Sequence, residues 1–194
     1  MQPVPIVIDL EWNHPQPGRP YAPGLPGEII QIGAAKIEAD CSVTDSLDIM
    51  IKPVYYPKMN REVTKLTLIT DADIAKGIPF AEACSRLRKF CGNDFVFVSW
   101  GPDDLLMLER NMKKFGLDYS WLPKTYDAQL MFDDMEMQEN RHWALNYALY
   151  HYDEKPDGEH NALADVMSTI LVMRHLDIGD GLSDDYFRCD RRED

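Results

Sequence analysis

Three acidic stretches of the chain carry residue types that could do chemistry. The first is "PIVIDLEWNHP", residues 5 to 15, where the apolar run Ile6, Val7, Ile8 leads into Asp9 and, two residues on, Glu11. In a strand, residues i and i+2 project from the same face. The two carboxylates therefore sit side by side, roughly 6 to 7 Å apart along the chain. Adjacent carboxylates repel, and at least one has its pKa raised unless a cation intervenes. Hard divalent ions such as Mg²⁺ take oxygen ligands of this kind, so a metal is the simplest physical reason for the pair.

The spacing alone is not selective, because D-x-E recurs at Asp134/Glu136 and Asp157/Glu159. Those two matches sit in a polar, helix-prone run and in a "PDGE" turn, where solvated carboxylates are expected. Asp9 and Glu11 alone emerge from a buried-type strand, where unneeded carboxylates are costly. A second acidic pair, Asp103 and Asp104 in "WGPDDLLMLERNM", stands where a helix begins. An N-cap and a first-turn acid favoured by the helix dipole would account for them; a role beside Asp9 is the other reading. The third stretch is "GEHNALADVMSTI". Asp165 lies in an apolar helical run, where an unpartnered acid is unwelcome. His160 precedes it by five residues, about 500° of helical rotation, so the two would not share a face. His160 then falls in the loop before the helix, with Asn161 as the cap. A loop histidine beside a metal-held carboxylate suits a general base of near-neutral pKa; an exposed, solvated histidine is the plainer reading.

Positioning these groups requires several elements. Residues 4–12 and 28–38 read as strands, the second alternating as "EIIQIGAAKIE", and 46–53 reads as a third. Between the first two lies "NHPQPGRPYAPGLPG", a Pro/Gly-dense loop that starts two residues after Glu11 and is expected to overhang the carboxylates. Phe80, Cys84, Leu87 and Cys91 mark a helix over about 79–91. "DFVFVSW" is a compact strand that feeds a helix carrying Leu105, Leu108, Met112 and Phe115; two more helices are expected near 142–151 and 161–176. Strands first and helices interleaved later predict an α/β layer with a mixed sheet. The chain reads as one domain over 1–178, with a loose polar tail at 179–194.

Composition narrows the function. The chain has 194 residues, 45% hydrophobic, with 20 Lys+Arg against 33 Asp+Glu for a net charge of −13. Such acidity opposes a protein that coats nucleic acid electrostatically, but not an enzyme whose phosphate contacts come from bound metal. No apolar run approaches the roughly 20 residues of a membrane helix, and no signal peptide is visible, so a soluble cytoplasmic protein is expected. Cys41, Cys84, Cys91 and Cys189 have no metal-type spacing. Cys84 and Cys91 would lie about 10 Å apart along a helix, too far for a disulfide, and read as buried reduced thiols.

Taken in order, D-x-E in the first strand, W-G-x-x-D after a middle strand and H-x-A-x-x-D late in the chain resemble the DEDDh 3′–5′ exonuclease family. That group contains RNase T and the polymerase III epsilon-type proofreading exonucleases; the chain looks most similar to the bacterial and ERI-like branch. The matching residues are Asp9, Glu11, Asp104, His160 and Asp165, and "EIIQIGAAKI" and "LTLIT" (66–70) resemble further family segments. The resemblance implies an RNase H-like fold, a mixed five-stranded sheet flanked by helices. It implies two divalent ions, Mg²⁺ with Mn²⁺ as a substitute, about 3.5 to 4 Å apart. By it Asp9 would bridge both ions, Glu11 and Asp165 would complete the site of the attacking water, Asp104 would support the second ion, and His160 would take the proton. The substrate would be the 3′ end of a single-stranded nucleic acid, and the product a nucleoside 5′-monophosphate. Leu66 and Thr67 would lie near the substrate, with Leu68 standing where the family often has Gly. Trp12 would stack on the terminal base, or else pack into the core or loop.

Two rivals remain from the residues themselves. One is a catalytically silent binding module on the same fold. The other is an Fe(II) site of His151, Asp153 and His175, which normally needs a β-barrel where this region reads as helical. The acidic balance, without a basic stripe, leads us to expect a grip on only a few terminal nucleotides. Binding of a single strand should therefore weaken only shallowly with salt, since each phosphate contact adds about 0.7 to the log–log slope. A steep slope in a salt titration would overturn that expectation.

Overall fold

The computed structural model describes residues 3–137, 141–156, 161–176 and 186–188. Its first three strands, β1 (Val4–Asn13), β2 (Glu28–Ile37) and β3 (Val43–Met50), form an antiparallel meander. Two short helices follow, α1 (Arg61–Thr67) and α2 (Asp71–Ile74), then α3 (Phe80–Cys91) leads back to β4 (Phe95–Ser99), parallel to β1. Helix α4 (Asp103–Lys114) connects β4 to β5 (Thr125–Asp127), again parallel. Three helices close the described chain: α5 (Ala128–Phe132), which continues into a π-helical turn at Asp133–Met137, α6 (Leu145–His151) and α7 (Ala162–His175). A two-residue strand, β6 (Phe187–Arg188), pairs antiparallel with β5, so the sheet order is β3-β2-β1-β4-β5-β6.

This is the mixed five-stranded sheet expected from the sequence, extended at one edge by β6. The expected third strand is displaced by three residues toward the N-terminus, running 43–50 rather than 46–53. β5 went unread because three residues carry no periodicity to detect. His160, Cys189, Asp157, Glu159 and all of the tail except 186–188 lie outside the described residues.

The alternation of β1 decides which side each layer occupies. Ile6, Ile8 and Leu10 point into a core with Phe80, Leu87, Phe97, Leu108 and Met112, which packs α3 and α4 on one face. Val7 points the other way, into a core with Ala35, Val98, Val166, Ile170 and Met173 beneath α7. By the same period of two, Asp9 and Glu11 belong to the α7 face. Cys84 and Cys91 are buried on α3, as their spacing predicts, and burial pushes both thiols up to about 12. No helix among the described residues is long and apolar enough to cross a membrane.

The close approach of α7 to the sheet depends on one missing side chain. Gly33 faces Asp9 across the β1–β2 pair. A Cβ at Gly33 would lie 2.3 Å from the carbonyl carbon of Ala162 and 2.4 Å from the nitrogen of Leu163, both backbone atoms of the first turn of α7. The helix therefore rests directly on the strand, beside the first acid of the chain. Gly33→Ala should displace that turn; such overpacking costs roughly 1 to 3 kcal/mol, read by urea unfolding. Unchanged stability would show that α7 is held in place by other contacts.

Candidate metal and active site

β1 delivers Asp9 and Glu11 half-buried on the α7 face, then breaks register between Glu11 and Trp12. Bulges of this kind re-aim side chains at the ends of strands. The next buried residue, Asn13, turns the strand end into an anchor. Its Nδ2 donates to the carbonyls of Tyr56 and Lys58, and its Oδ1 accepts from the nitrogen of Asn60. Asn60 is in turn the N-cap of α1, accepting from the nitrogen of Glu62. Thus one buried amide fastens α1 beside the acids. At its far end Leu68 closes α1 in a left-handed conformation, φ 59°, ψ 2°. This geometry suits glycine; a leucine there carries about 1 to 2 kcal/mol of strain.

Asp165 arrives from the first turn of α7. Asn161 caps that helix as its sequence predicts, accepting from the nitrogen of Ala164, and Gln31 Oε1 accepts from the nitrogen of Ala162 at 3.3 Å. Gln31 itself donates to Asp48 Oδ1 at 2.8 Å, which fixes its orientation. Gln31 and Gly33 together seat the helix so that oxygens of Asp9, Glu11 and Asp165 all lie within 4.8 Å of one another. Among the described residues this is the one trio close enough to share an ion. The alternative iron ligands are not drawn together: His151 faces Glu136, and His175 faces Glu154. Of the acidic run nearby, Asp134 and Glu136 are exposed as expected, whereas Asp133 is buried and accepts from the nitrogen of Trp143.

Asp104 comes from the start of α4. The turn before it is set by Ser99 Oγ, which donates to the carbonyl of Gly101, and by the nitrogen of Gly101, which donates to Asp127 Oδ1. Asp103 is exposed and Asp104 is buried, at 5% exposure. Strand pairing with β4 ends at Val7, and beyond it Asp104 Oδ1 accepts from the nitrogen of Leu10 at 3.0 Å. An acid thus takes the place of a neighbouring strand. The W-G-x-x-D spacing had pointed to Asp104 over Asp103.

These groups line a cavity of about 530 Å³ together with Trp12, His14, Glu62, Val63, Leu66, Thr67 and Trp100. Trp12, Leu66 and Thr67 are the residues expected near a substrate. Trp12 packs on the α3/α4 core and on Gly27, as its packing reading expects, and it also borders the cavity. The Pro/Gly loop contributes His14, whose Nδ1 lies 3.0 Å from the carbonyl of Pro26. Sequence reasoning missed His14, Trp100, Gln31 and Gly33. For Trp100 the signal was present in "WGPDD", unassigned; for Gly33 it was a glycine inside a buried strand.

Electrostatics follow from the crowding. Burial first, then the charges of Asp104, Glu11 and Asp165, raise Asp9 well above the usual carboxylate range. Burial, then Asp165 and Asp104, push Glu11 up to about 8. Asp104 is pushed up to about 7, mainly by burial, with the bond from Leu10 acting in the opposite sense. Carboxylates this close and this poorly solvated fit a hard divalent cation, whose charge replaces the protons.

A mixed sheet with helices on both faces and acids at the end of its central strand defines the RNase H-like class of exonuclease folds. The exonuclease family model named RNase T matches residues 6–173, and the chain belongs to that RNase T/DEDDh family. No curated protein sequence matches it. Among solved structures it is similar to the nuclease domain of 3′hExo, a DEDDh family member bound to rAMP. The TM-score is 0.78 at 16% identity, covering 90% of this chain and 91% of that one. A 3′-exonuclease that recognises the 3′ end of histone mRNA stem-loop gives 0.80 at 16%, over 96% and 85%. E. coli exonuclease I in complex with a dT13 oligonucleotide gives 0.70 at 16%, over 91% of this chain and 41% of that one. This chain likewise spans only 63% of cell-death related nuclease 4, at 16% identity and TM-score 0.73 over 90% of its own length. At such identities the likeness is one of fold.

The raised carboxyls carry a pH signature. Glu11 titrates near 4.5 when unfolded and about 8 in the fold, so its contribution to stability is complete below 4.5 and is lost as pH rises through 8. Metal-free protein should therefore lose thermal stability across that window, and Mg²⁺ or Mn²⁺ should restore more at pH 8 than at pH 5. A Tm that ignores both pH and metal would contradict this account of the cluster.

Proposed function

We propose that this chain is a 3′–5′ exonuclease that hydrolyses the terminal phosphodiester of a single-stranded nucleic acid, RNA or DNA, and releases nucleoside 5′-monophosphates. The observation that carries the reading is the convergence of Asp9, Glu11 and Asp165 within 4.8 Å, with buried Asp104 bonded to the intervening strand residue Leu10. Family membership supports it independently. Asp9, Glu11 and Asp165 would hold divalent ions, with Asp104 supporting the second. Bound there, the ions would acidify a water and offset charge on the phosphodiester.

The chain's own residues supply the rest. Trp12, Val63, Leu66 and Thr67 form an apolar wall with one hydroxyl on the cavity, suited to a sugar and base rather than to a run of phosphates. The cavity volume of about 530 Å³ lies in the range of single small-ligand sites, which matches a grip on the terminal unit. His160 would accept the proton of the attacking water; its neighbour Asn161 caps α7, the helix that carries Asp165. A general base near neutral pH would make the rate rise as the imidazole loses its proton.

Digestion of matched, end-labelled single-stranded RNA and DNA tests this reading. The expected result is stepwise loss from the 3′ end with Mg²⁺ or Mn²⁺ and none with EDTA. His160→Ala should reduce kcat by at least about a hundredfold, the usual scale for a general base, and Asp9→Asn, which removes a carboxylate that would hold the ions, should abolish the metal-dependent reaction, each leaving the fold intact. Full activity in either variant would overturn the mechanism.

A further inference from the structure

Beside the cavity, α6 and the segment before it display an aromatic strip that the acids do not use. Trp143 and Tyr147 stack with ring centroids 4.0 Å apart and planes at 23°. The guanidinium of Arg141 lies 4.1 Å from the Trp143 ring centroid. Tyr150, one turn beyond Tyr147, is 81% exposed, and Tyr147 is also at the surface. Tyr147 and Tyr150, three residues apart, share one side of α6, and Trp143, just before the helix, joins them by stacking on Tyr147. The opposite side, Ala148 and Leu149, is buried against Phe132 and Val172.

The strip is tied to the cavity by its backbone. Trp100, which lines the cavity, donates its indole N–H to the carbonyl of Trp143 at 3.0 Å, and Gln129 Nε2 donates to the same oxygen at 2.8 Å. Asp133 holds the preceding nitrogen, accepting from Trp143 at 3.2 Å. The base of the platform is therefore fastened to Trp100, a residue of the cavity wall.

Resting on the exonuclease reading, we infer that Arg141, Tyr147 and Tyr150, held in place by the Trp143 ring between Arg141 and Tyr147, form a second binding surface, for the bases of the single strand upstream of the terminal nucleotide. The occupant follows from the chemistry. A chain of net charge −13 has little to attract a polyanion. Here, however, Arg141 sets a positive charge over a ring, beside exposed tyrosine faces. Bases stack on such rings without regard to sequence, and arginine adds charge for the intervening phosphate. A strand leaving the cavity past Trp100 would meet these rings next. Affinity would then come from stacking over a few nucleotides instead of from a basic groove.

The test separates this surface from the active site. Equilibrium binding of a fluorescein-labelled eight-nucleotide single strand is measured by anisotropy with Ca²⁺ in place of Mg²⁺, for the natural chain and for Tyr147→Ala/Tyr150→Ala. Trp143 is left intact because its side chain packs against the core of Phe132, Leu149 and Val172. The variant should bind roughly tenfold more weakly, the loss of one base stack, while its unfolding temperature is preserved. Hydrolysis of the same strand should show the loss in KM, whereas a dinucleotide, too short to reach the strip, should be turned over alike by both proteins. Equal binding of the long strand by both proteins, or equal losses on long and short substrates, would overturn the platform. Binding that depends on the tyrosines without any hydrolysis would instead count against the exonuclease reading alone.

Discussion

Asp9, Glu11 and Asp165 repel one another, and the structure around them keeps them from separating. With oxygens within 4.8 Å, each fully ionised pair would cost about 3.5 kcal/mol at an effective dielectric near 20. That exceeds the roughly 1.5 to 3 kcal/mol from burying one large apolar side chain, so no single contact could hold the trio. Two of the acids are fixed by being neighbours on one strand. The third is pressed in by a fourteen-residue helix whose inner face, Val166, Ile170 and Met173, packs on the sheet. The helix reaches contact distance because Gly33 offers no side chain. The repulsion left over appears as raised carboxyls, which is the condition under which a cation binds with most to gain.

The same economy runs through the polar residues nearby. Asp104 serves the fold by accepting from Leu10 where β4 has ended, and serves the site by adding charge to the cluster. Asn13 closes the end of β1 and seats α1, which supplies Val63, Leu66 and Thr67 to the cavity wall. Gln31 fixes the start of α7 while bridging to Asp48 on β3. Removing any of these would act on geometry first and on chemistry through it. On the proposed function, the acidic surface would have a consistent meaning: attraction for a polyanion would be concentrated where cations can sit and where rings can stack.

How much of this was legible depended on whether the signal was local. Long periodic segments were readable: β1 and β2 from alternation, α3 and α4 from apolar spacing, and α7 from an apolar run with Asn161 as its cap. Short elements were not, because β5 has three residues and α2 four, fewer than one informative period. The carboxylates were legible as residue types in an order, and Asp104 over Asp103 from spacing. Gln31 and His14 were not, since a polar residue in a strand or loop has no distinctive pattern until its partner is in place.

By itself the sequence determined which acids share a strand face, because a period of two is a property of the backbone wherever the strand sits. It also determined that Asp165 would lie in a buried helix and that Asn161 would begin it, since capping and apolar spacing act over a few residues. Only the tertiary structure decided that this helix lands on Gly33, with the nitrogen of Ala162 donating to Gln31, 131 residues earlier in the chain. Such contacts are set by the shape of two surfaces meeting, and one absent Cβ is visible in a sequence only as a small residue. The site therefore exists as four dispersed acidic residues in the chain and becomes a cluster through the packing of a helix against a strand.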